Sequence, residues 1–122
     1  MARRTRTTGP ILDVSLCLLQ AHVAGVELHG WAIMHEVKRS GPTVYGVLDR
    51  LEDRGWIVGS WEDQDRESNK PRRRFYRLTP EGLAAVRDLL AERRPEALEN
   101  LSGAAGRRRV AGWQPLAPGS AK

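Results

Sequence analysis

A mostly α-helical fold with a small β-hairpin follows from three features of this 122-residue sequence. The arrangement they predict is a winged helix-turn-helix, with a three-helix core, a two-stranded wing and a C-terminal dimerisation helix. First, an amphipathic segment bounded by Pro42 and Gly55 carries a single apolar stripe. Second, two short aromatic and β-branched runs, residues 56–62 and 72–78, flank a polar stretch and read as paired strands. Third, charge is concentrated at that stretch. Six of the twenty Lys and Arg residues lie between Arg66 and Arg77 against one acid, Glu67, a surplus equal to the chain's whole net charge of +5.

Residues 1–9 form a basic, Thr-rich arm without apolar periodicity, expected to be flexible. From Pro10, apolar residues including Ile11, Leu12, Leu16, Leu18 and Leu19 recur around most of a helical circumference. A helix so apolar is expected either at the centre of the fold or shared with a second subunit. A short second helix is expected over residues 31–39, with Ile33, Met34 and Val37 facing inward. The third starts after Ser40-Gly41 with a proline suited to a first helical turn. Val44, Val47, Leu48 and Leu51 then fall at i, i+3, i+4 and i+7 and share one buried face, and Gly55 supplies a left-handed end.

The strands at 56–62 and 72–78 join through a hydrophilic loop, residues 63–71. Thr79-Pro80-Glu81 provides a cap, a first-turn proline and an acid at the positive end of a fourth helix running towards Arg94, where Pro95 stops or kinks it. That helix carries Leu83, Val86 and Leu90 on one side. A domain this small is expected to leave part of that stripe uncovered, so pairing about a two-fold axis, with Leu16, Leu83, Val86 and Leu90 at the seam, is the expected solution. The organisation is therefore an arm (1–9), a winged-helix domain (10–78), a dimerisation helix region (79–101) and a Gly-, Ala-, Pro- and Arg-rich flexible tail (102–122) containing Arg107-Arg108-Arg109 and Trp113.

Composition narrows the function. A sequence pI near 10.1 favours a polyanionic partner. The single cysteine, Cys17, precludes a disulfide within the chain and suits a reducing cytoplasm, the expected location. Arg3, Arg4 and Arg6 before an apolar run resemble the start of an export signal, but Asp13 and Gln20 interrupt that run. No segment approaches the roughly twenty apolar residues of a membrane-spanning helix.

Three stretches carry a family resemblance: Leu28-His29-Gly30-Trp31; Gly41-Pro42-Thr43-Val44-Tyr45-Gly46-Val47-Leu48-Asp49-Arg50-Leu51-Glu52; and Lys70-Pro71-Arg72-Arg73-Arg74-Phe75-Tyr76-Arg77-Leu78-Thr79-Pro80-Glu81-Gly82. In this order, with a Trp-Glu strand ending between the last two, they resemble the PadR family of bacterial transcriptional regulators over about residues 10–94. The family usually has Ser-Gly-Thr-Leu-Tyr-Pro where this chain has Gly41-Pro42-Thr43-Val44-Tyr45-Gly46, and Gly-Arg-Pro where it has Asn69-Lys70-Pro71. The base contacts of other members therefore do not transfer directly. The resemblance implies a homodimer joined through the first and fourth helices, and repression of a nearby promoter relieved by a ligand.

In a winged helix the third helix enters the major groove with its early residues nearest the bases. This directs Thr43, Tyr45 and Gly46 to double-stranded DNA and Arg50 to a phosphate. Thr43 could equally be a capping hydroxyl, Tyr45 a half-buried packing ring and Arg50 a surface partner of Asp53. Lys70, Arg72 and Arg73, nearest the wing tip, are candidates for backbone or minor-groove contact, with a solubilising strand edge as the plainer role. Trp31 is a candidate wall for a small aromatic effector, although core packing is the commoner use of such a ring. Trp56, Trp61, Phe75 and Tyr76 read as packing residues. Cys17 with His22, His29 and His35 lacks convincing metal spacing, and a solvated loop is the expected role of Asp63, Asp65 and Glu67. No nucleophile–base pair or phosphate-cradling glycine motif points to an enzyme, and no cofactor is expected. The reading is a sequence-specific DNA-binding regulator; RNA binding and protein interaction are its alternatives.

Overall fold

Helix α1 (Gly9–Ala24) sets the architecture because its apolar residues do not fit on one face. It begins where Thr8 Oγ1 accepts the Ile11 N–H and ends at Gly25, whose φ of +72° is costly for a residue with a side chain. Ile11, Leu12, Val14, Cys17, Leu18, Leu19 and Ala21 are all buried. The computed structural model describes residues 8–62, 73–102 and 114–115. After α1 the elements are β1 (Val26–His29), α2 (Gly30–Val37), α3 (Gly41–Asp53), β2 (Ile57–Trp61), β3 (Arg74–Leu78), α4 (Pro80–Arg93), α5 (Pro95–Ser102) and the two-residue β4 (Gln114–Pro115). Helices α2, α3, α4 and α5 and strands β1 and β3 all pack on α1. The mostly helical winged-helix prediction holds.

The sheet is antiparallel, in the order β2-β3-β1-β4. The hairpin was expected; β1 was not. Only four residues long, Val26-Glu27-Leu28-His29 gives little alternation to read, and its partners, Phe75 and Tyr76, lie far along the chain. Gln114–Pro115, within the stretch expected to be a flexible tail, pair with Val26 and Glu27.

Helix α3 is defined locally at both ends. Ser40 Oγ accepts the Thr43 N–H at 3.4 Å. At the other end Gly55 (φ +78°) donates to the Glu52 carbonyl and Trp56 donates to that of Leu51, the paired bonds of a Schellman cap. Its stripe of Val44, Val47, Leu48 and Leu51 is buried as expected.

Thr79 joins the hairpin to α4. Its Oγ1 accepts the Gly82 N–H at 2.9 Å and donates towards the carbonyls of Gly55 (2.7 Å) and Trp56 (3.2 Å), while its own N–H bonds the Trp56 carbonyl at 2.9 Å. The first turn of α4 thus presses on the backbone that leads into β2. A Cβ on Gly82 would lie inside 3.0 Å of three Trp56 main-chain atoms, which cannot swing away as a side chain would.

The expectation that α4 would need a second subunit to cover its stripe is corrected here. Val86 and Leu90 are fully buried within one chain, and Leu83, like Leu16 on α1, is half-buried against the same core. Helix α4 packs on α1 and β3, and a further helix, α5, adds to that core. Pro95 does end α4 after Arg93, but the chain then forms another helix that folds against α1 and α4 and buries Leu101.

Asp13 ties these layers together. Its Oδ2 accepts from Arg39 Nε at 2.8 Å and its Oδ1 from Arg94 Nη1 at 2.6 Å, linking α1 to the residue before the α3 cap and to the end of α4. Partial burial opposes ionisation, but the hydrogen bonds and charges of the two guanidiniums outweigh it and hold the carboxyl below its ordinary value of 3.8. A carboxylate whose folded-state pKa is depressed stabilises the fold above its unfolded-state pKa, and loses that contribution as pH falls through the folded value.

Two predictions follow from these contacts. Gly82→Ala is expected to cost about 2–3 kcal/mol in urea denaturation, the scale of overpacking against atoms that cannot relax. Asp13→Asn is expected to lower stability near neutral pH by about 1–2 kcal/mol, the range of charge-assisted hydrogen bonds that are partly exposed. In pH-dependent melting, its deficit should shrink as the pH is taken below the unfolded-state value of 3.8.

Candidate nucleic-acid interface

With one side of α3 committed to the core, Thr43, Tyr45, Gly46, Asp49 and Arg50 remain exposed along the other. The Ser40 hydroxyl lies 3.0 Å from the Thr43 hydroxyl, so Thr43 is tied into the first turn without being buried. Tyr45, with 43% of its surface exposed, is partly sheltered where its ring leans over Gly30 at the start of α2. A Cβ on Gly30 would fall inside 3.0 Å of the Tyr45 ring and hydroxyl, so the glycine in Leu28-His29-Gly30-Trp31 makes room for the tyrosine of the third helix. Arg50 forms no ion pair among the described residues, and the expected alternative, pairing with Asp53, is not seen.

The hairpin is fixed to the same helix. Arg74 on β3 donates to Glu52 Oε2 of α3 at 3.0 Å, and its guanidinium carbon sits 5.3 Å from the Trp61 ring centre and 5.8 Å from that of Tyr76. The guanidinium passes directly over Gly59, where a side chain would collide with it. The hydrogen bond that Arg74 donates to Glu52 raises the Arg74 pKa further, while burial and the Glu52 charge push the Tyr76 phenol up. Phe75 and Tyr76 pack inward as expected. Trp61 does not: at 55% exposure it is a shelf for Arg74, not a core residue. Trp56 is half-buried, with Arg54 stacked 5.0 Å from its ring centre.

Arg73 follows a different pattern. Its main-chain N–H donates to Glu62 Oε1 at 3.2 Å, its Nε to the same oxygen at 3.3 Å and its Nη2 to Oε2 at 3.3 Å. These bonds, led by the Arg73 side chain, hold the Glu62 carboxyl below the usual range. His29 lies behind the pair: Nδ1 accepts the Ala32 N–H at 3.2 Å, and Nε2 is 3.5 Å from Arg73 Nη1. Lys70 and Arg72, the other wing candidates, lie outside the described residues, as do Asp63, Asp65, Glu67, Arg107-Arg108-Arg109 and Trp113.

Trp31 is not in the core. It is 51% exposed, 4.1 Å from the His35 ring and 5.8 Å from that of His29. Because His29 approaches Arg73 and Gly30 approaches Tyr45, Trp31 lies within two residues of contacts to both the third helix and the root of the wing. A separate cleft of about 560 Å³ opens beside α1 and the sheet, lined by Leu18, Val26, Val58 and Leu78 with His22 and Arg77; Trp31 is not among its lining residues. Cys17 is buried among apolar neighbours, where burial pushes its thiol well above the ordinary range, and no group of potential metal ligands occurs among the described residues. Sequence reasoning missed Glu52, Glu62 and Arg74 as the residues that organise the wing; the Trp61-Glu62 ending was the one visible signal.

The description "Transcriptional regulator PadR-like family" matches residues 18–88. Among solved structures, the chain is similar to the smu.1704 protein of Streptococcus mutans UA159 (22% identity, 87% of this chain and 98% of that one, TM-score 0.56). It is also similar to a PadR family transcription regulator from Clostridium difficile R20291 (20%, 78% and 100%, TM-score 0.52). A third neighbour is BpsR of Bordetella bronchiseptica, whose DNA binding is regulated by 6-hydroxynicotinic acid (21%, 84% and 70%, TM-score 0.55). No curated protein matches the chain. At these identities the structural neighbours show a shared winged-helix fold, while the family match covers more than half of the sequence. The chain belongs to the PadR-like family of transcriptional regulators.

Proposed function

We propose that this regulator is a repressor that binds a partly palindromic operator as a homodimer in the cytoplasm and is released by a small ligand. One observation carries the DNA-reading part of this assignment. The exposed edge of α3, with Thr43, Tyr45, Gly46 and Arg50, belongs to the same rigid unit as the hairpin, because Glu52 of that helix grips Arg74 of β3. A helix of this kind reads base edges with its early residues, while cations further along and on the wing hold phosphates. Tyr45 and Thr43 take the reading role and Arg50 the phosphate role; Lys70, Arg72 and Arg73 serve as the wing contacts. Two copies joined through α1 and α4, using half-buried Leu16 and Leu83, present two such heads to half-sites about one helical turn, roughly 34 Å, apart.

The cleft between α1 and the sheet supports ligand control. Its volume lies in the range of small-molecule sites, and its walls include strands that lead into the wing together with Pro80 of α4. That BpsR is regulated by an aromatic acid makes aromatic effectors a reasonable first group to screen. Trp31, exposed beside the reading helix, remains the other candidate contact for an aromatic molecule.

Selection of bound fragments from the host genome, at about 200 mM salt to suppress sequence-independent association, is expected to return one partly palindromic site. A pool without shared sequence, or displacement of the operator by structured RNA, would overturn the proposal. With the operator in hand, Tyr45→Ala is expected to weaken it by about tenfold or more while leaving random duplex nearly unchanged, the scale of a lost base contact. Arg50→Ala is expected to weaken both duplexes alike and to reduce the slope of log affinity against log salt by about one. Fluorescence anisotropy at several salt concentrations measures both.

A further inference from the structure

We propose that Glu62 is an electrostatic gate on the wing: in the free protein its carboxylate occupies Arg73, and it yields that guanidinium only to a DNA phosphate, so Glu62 suppresses sequence-independent binding. The inference rests on the DNA-binding reading and adds a residue whose effect is on discrimination. The neighbouring wing arginines Arg73 and Arg74 are both paired, but in different ways. Arg74 is held at 3.0 Å by Glu52 and flanked by two aromatic rings, with its side chain 29% exposed. It is part of the scaffold. Arg73 is 54% exposed, its side-chain contacts to Glu62 are 3.3 Å long, and no aromatic ring lies over it among the described residues. An ion pair this open is weak, and a phosphate at the same guanidinium can replace it.

The geometry gives Glu62 a reason to remain when Arg73 leaves. The Glu62 main-chain N–H donates to the Arg73 carbonyl at 2.7 Å, and the Arg73 N–H returns a bond to the Glu62 side chain, so the strand ends stay joined while the guanidinium exchanges partners. His29 sits behind the pair. Its Nδ1 accepts the Ala32 N–H, and its Nε2 lies 3.5 Å from Arg73 Nη1. Exchange is then favourable where α3 has already brought a phosphate close. On random sequence, where seating is poor, the carboxylate competes for the cation and repels the backbone.

Salt-dependent anisotropy on the full chain with operator and random-sequence duplexes tests this. Glu62→Gln is expected to tighten random duplex by about three- to fivefold, the most that an exposed pair is worth, and the operator by less. Its salt slope on random duplex should steepen by about 0.9, one added phosphate contact. Both effects should vanish in the Arg73→Ala background. The gate is overturned if Glu62→Gln changes neither affinity nor slope, if it tightens both duplexes equally, or if the gain survives without Arg73 and so reflects net charge alone. Glu62→Asp, which keeps the charge but withdraws it, should shift random duplex in the same direction by a smaller factor and carries the test should Glu62→Gln fail to fold. A wild-type chain that binds no duplex overturns the DNA-binding reading itself; one that binds its operator while the variants behave as wild type overturns the gate alone.

Discussion

The burial of α1 is the constraint on which the rest of the structure depends. A helix with apolar residues around so much of its circumference is stable in water only if other elements enclose it, and a short chain has few to spare. Here α2 and α3 cover one part, β1 and β3 another, and α4 with α5 a third. Helix α3 therefore has one available position, with its Val44, Val47, Leu48 and Leu51 stripe on the core and its polar edge outward. Asp13, the acidic residue of α1, is held by cations from both flanking layers. That single carboxylate lets a nearly all-apolar helix also fix the turn before α3 and the end of α4.

Two local contacts hold α3, the hairpin and α4 together. Glu52 and Arg74 connect the last turn of α3 to β3, while Thr79 and Gly82 bring α4 against the chain entering β2. Both contacts replace side-chain bulk with close approach: Gly59 lies beneath the Arg74 guanidinium and Gly82 beneath the Trp56 carbonyl. The cleft beside α1 shares its walls with this junction, including Thr79 and Leu78.

Charge along the sequence and charge in space differ in an instructive way. The stretch from Arg66 to Arg77 shows five more cations than acids, yet Glu52 and Glu62, both outside it, neutralise Arg74 and Arg73. One pair builds the scaffold and the other remains open to exchange. The local surplus offered to a polyanion is thus smaller in the free protein than the count suggests, and it can grow on binding.

The caps and periodicities were legible because each depends on neighbours within a few residues. The first-turn proline of α3, its apolar stripe, the Gly55 turn, the hairpin runs and the Thr79-Pro80 start of α4 all appear where the residues predict them. Strand β1, helix α5, the burial of Val86 and Leu90 within one chain, the tyrosine lodged over Gly30 and the exposure of Trp31 and Trp61 were not legible. By itself the sequence determined α1 to α4 and the hairpin, with their ends to within a few residues, since backbone hydrogen bonding and side-chain periodicity are short-range. Only the tertiary structure decided which apolar stripe meets which and which carboxylate holds which arginine, because those partners are brought together from distant parts of the chain by the packing around α1.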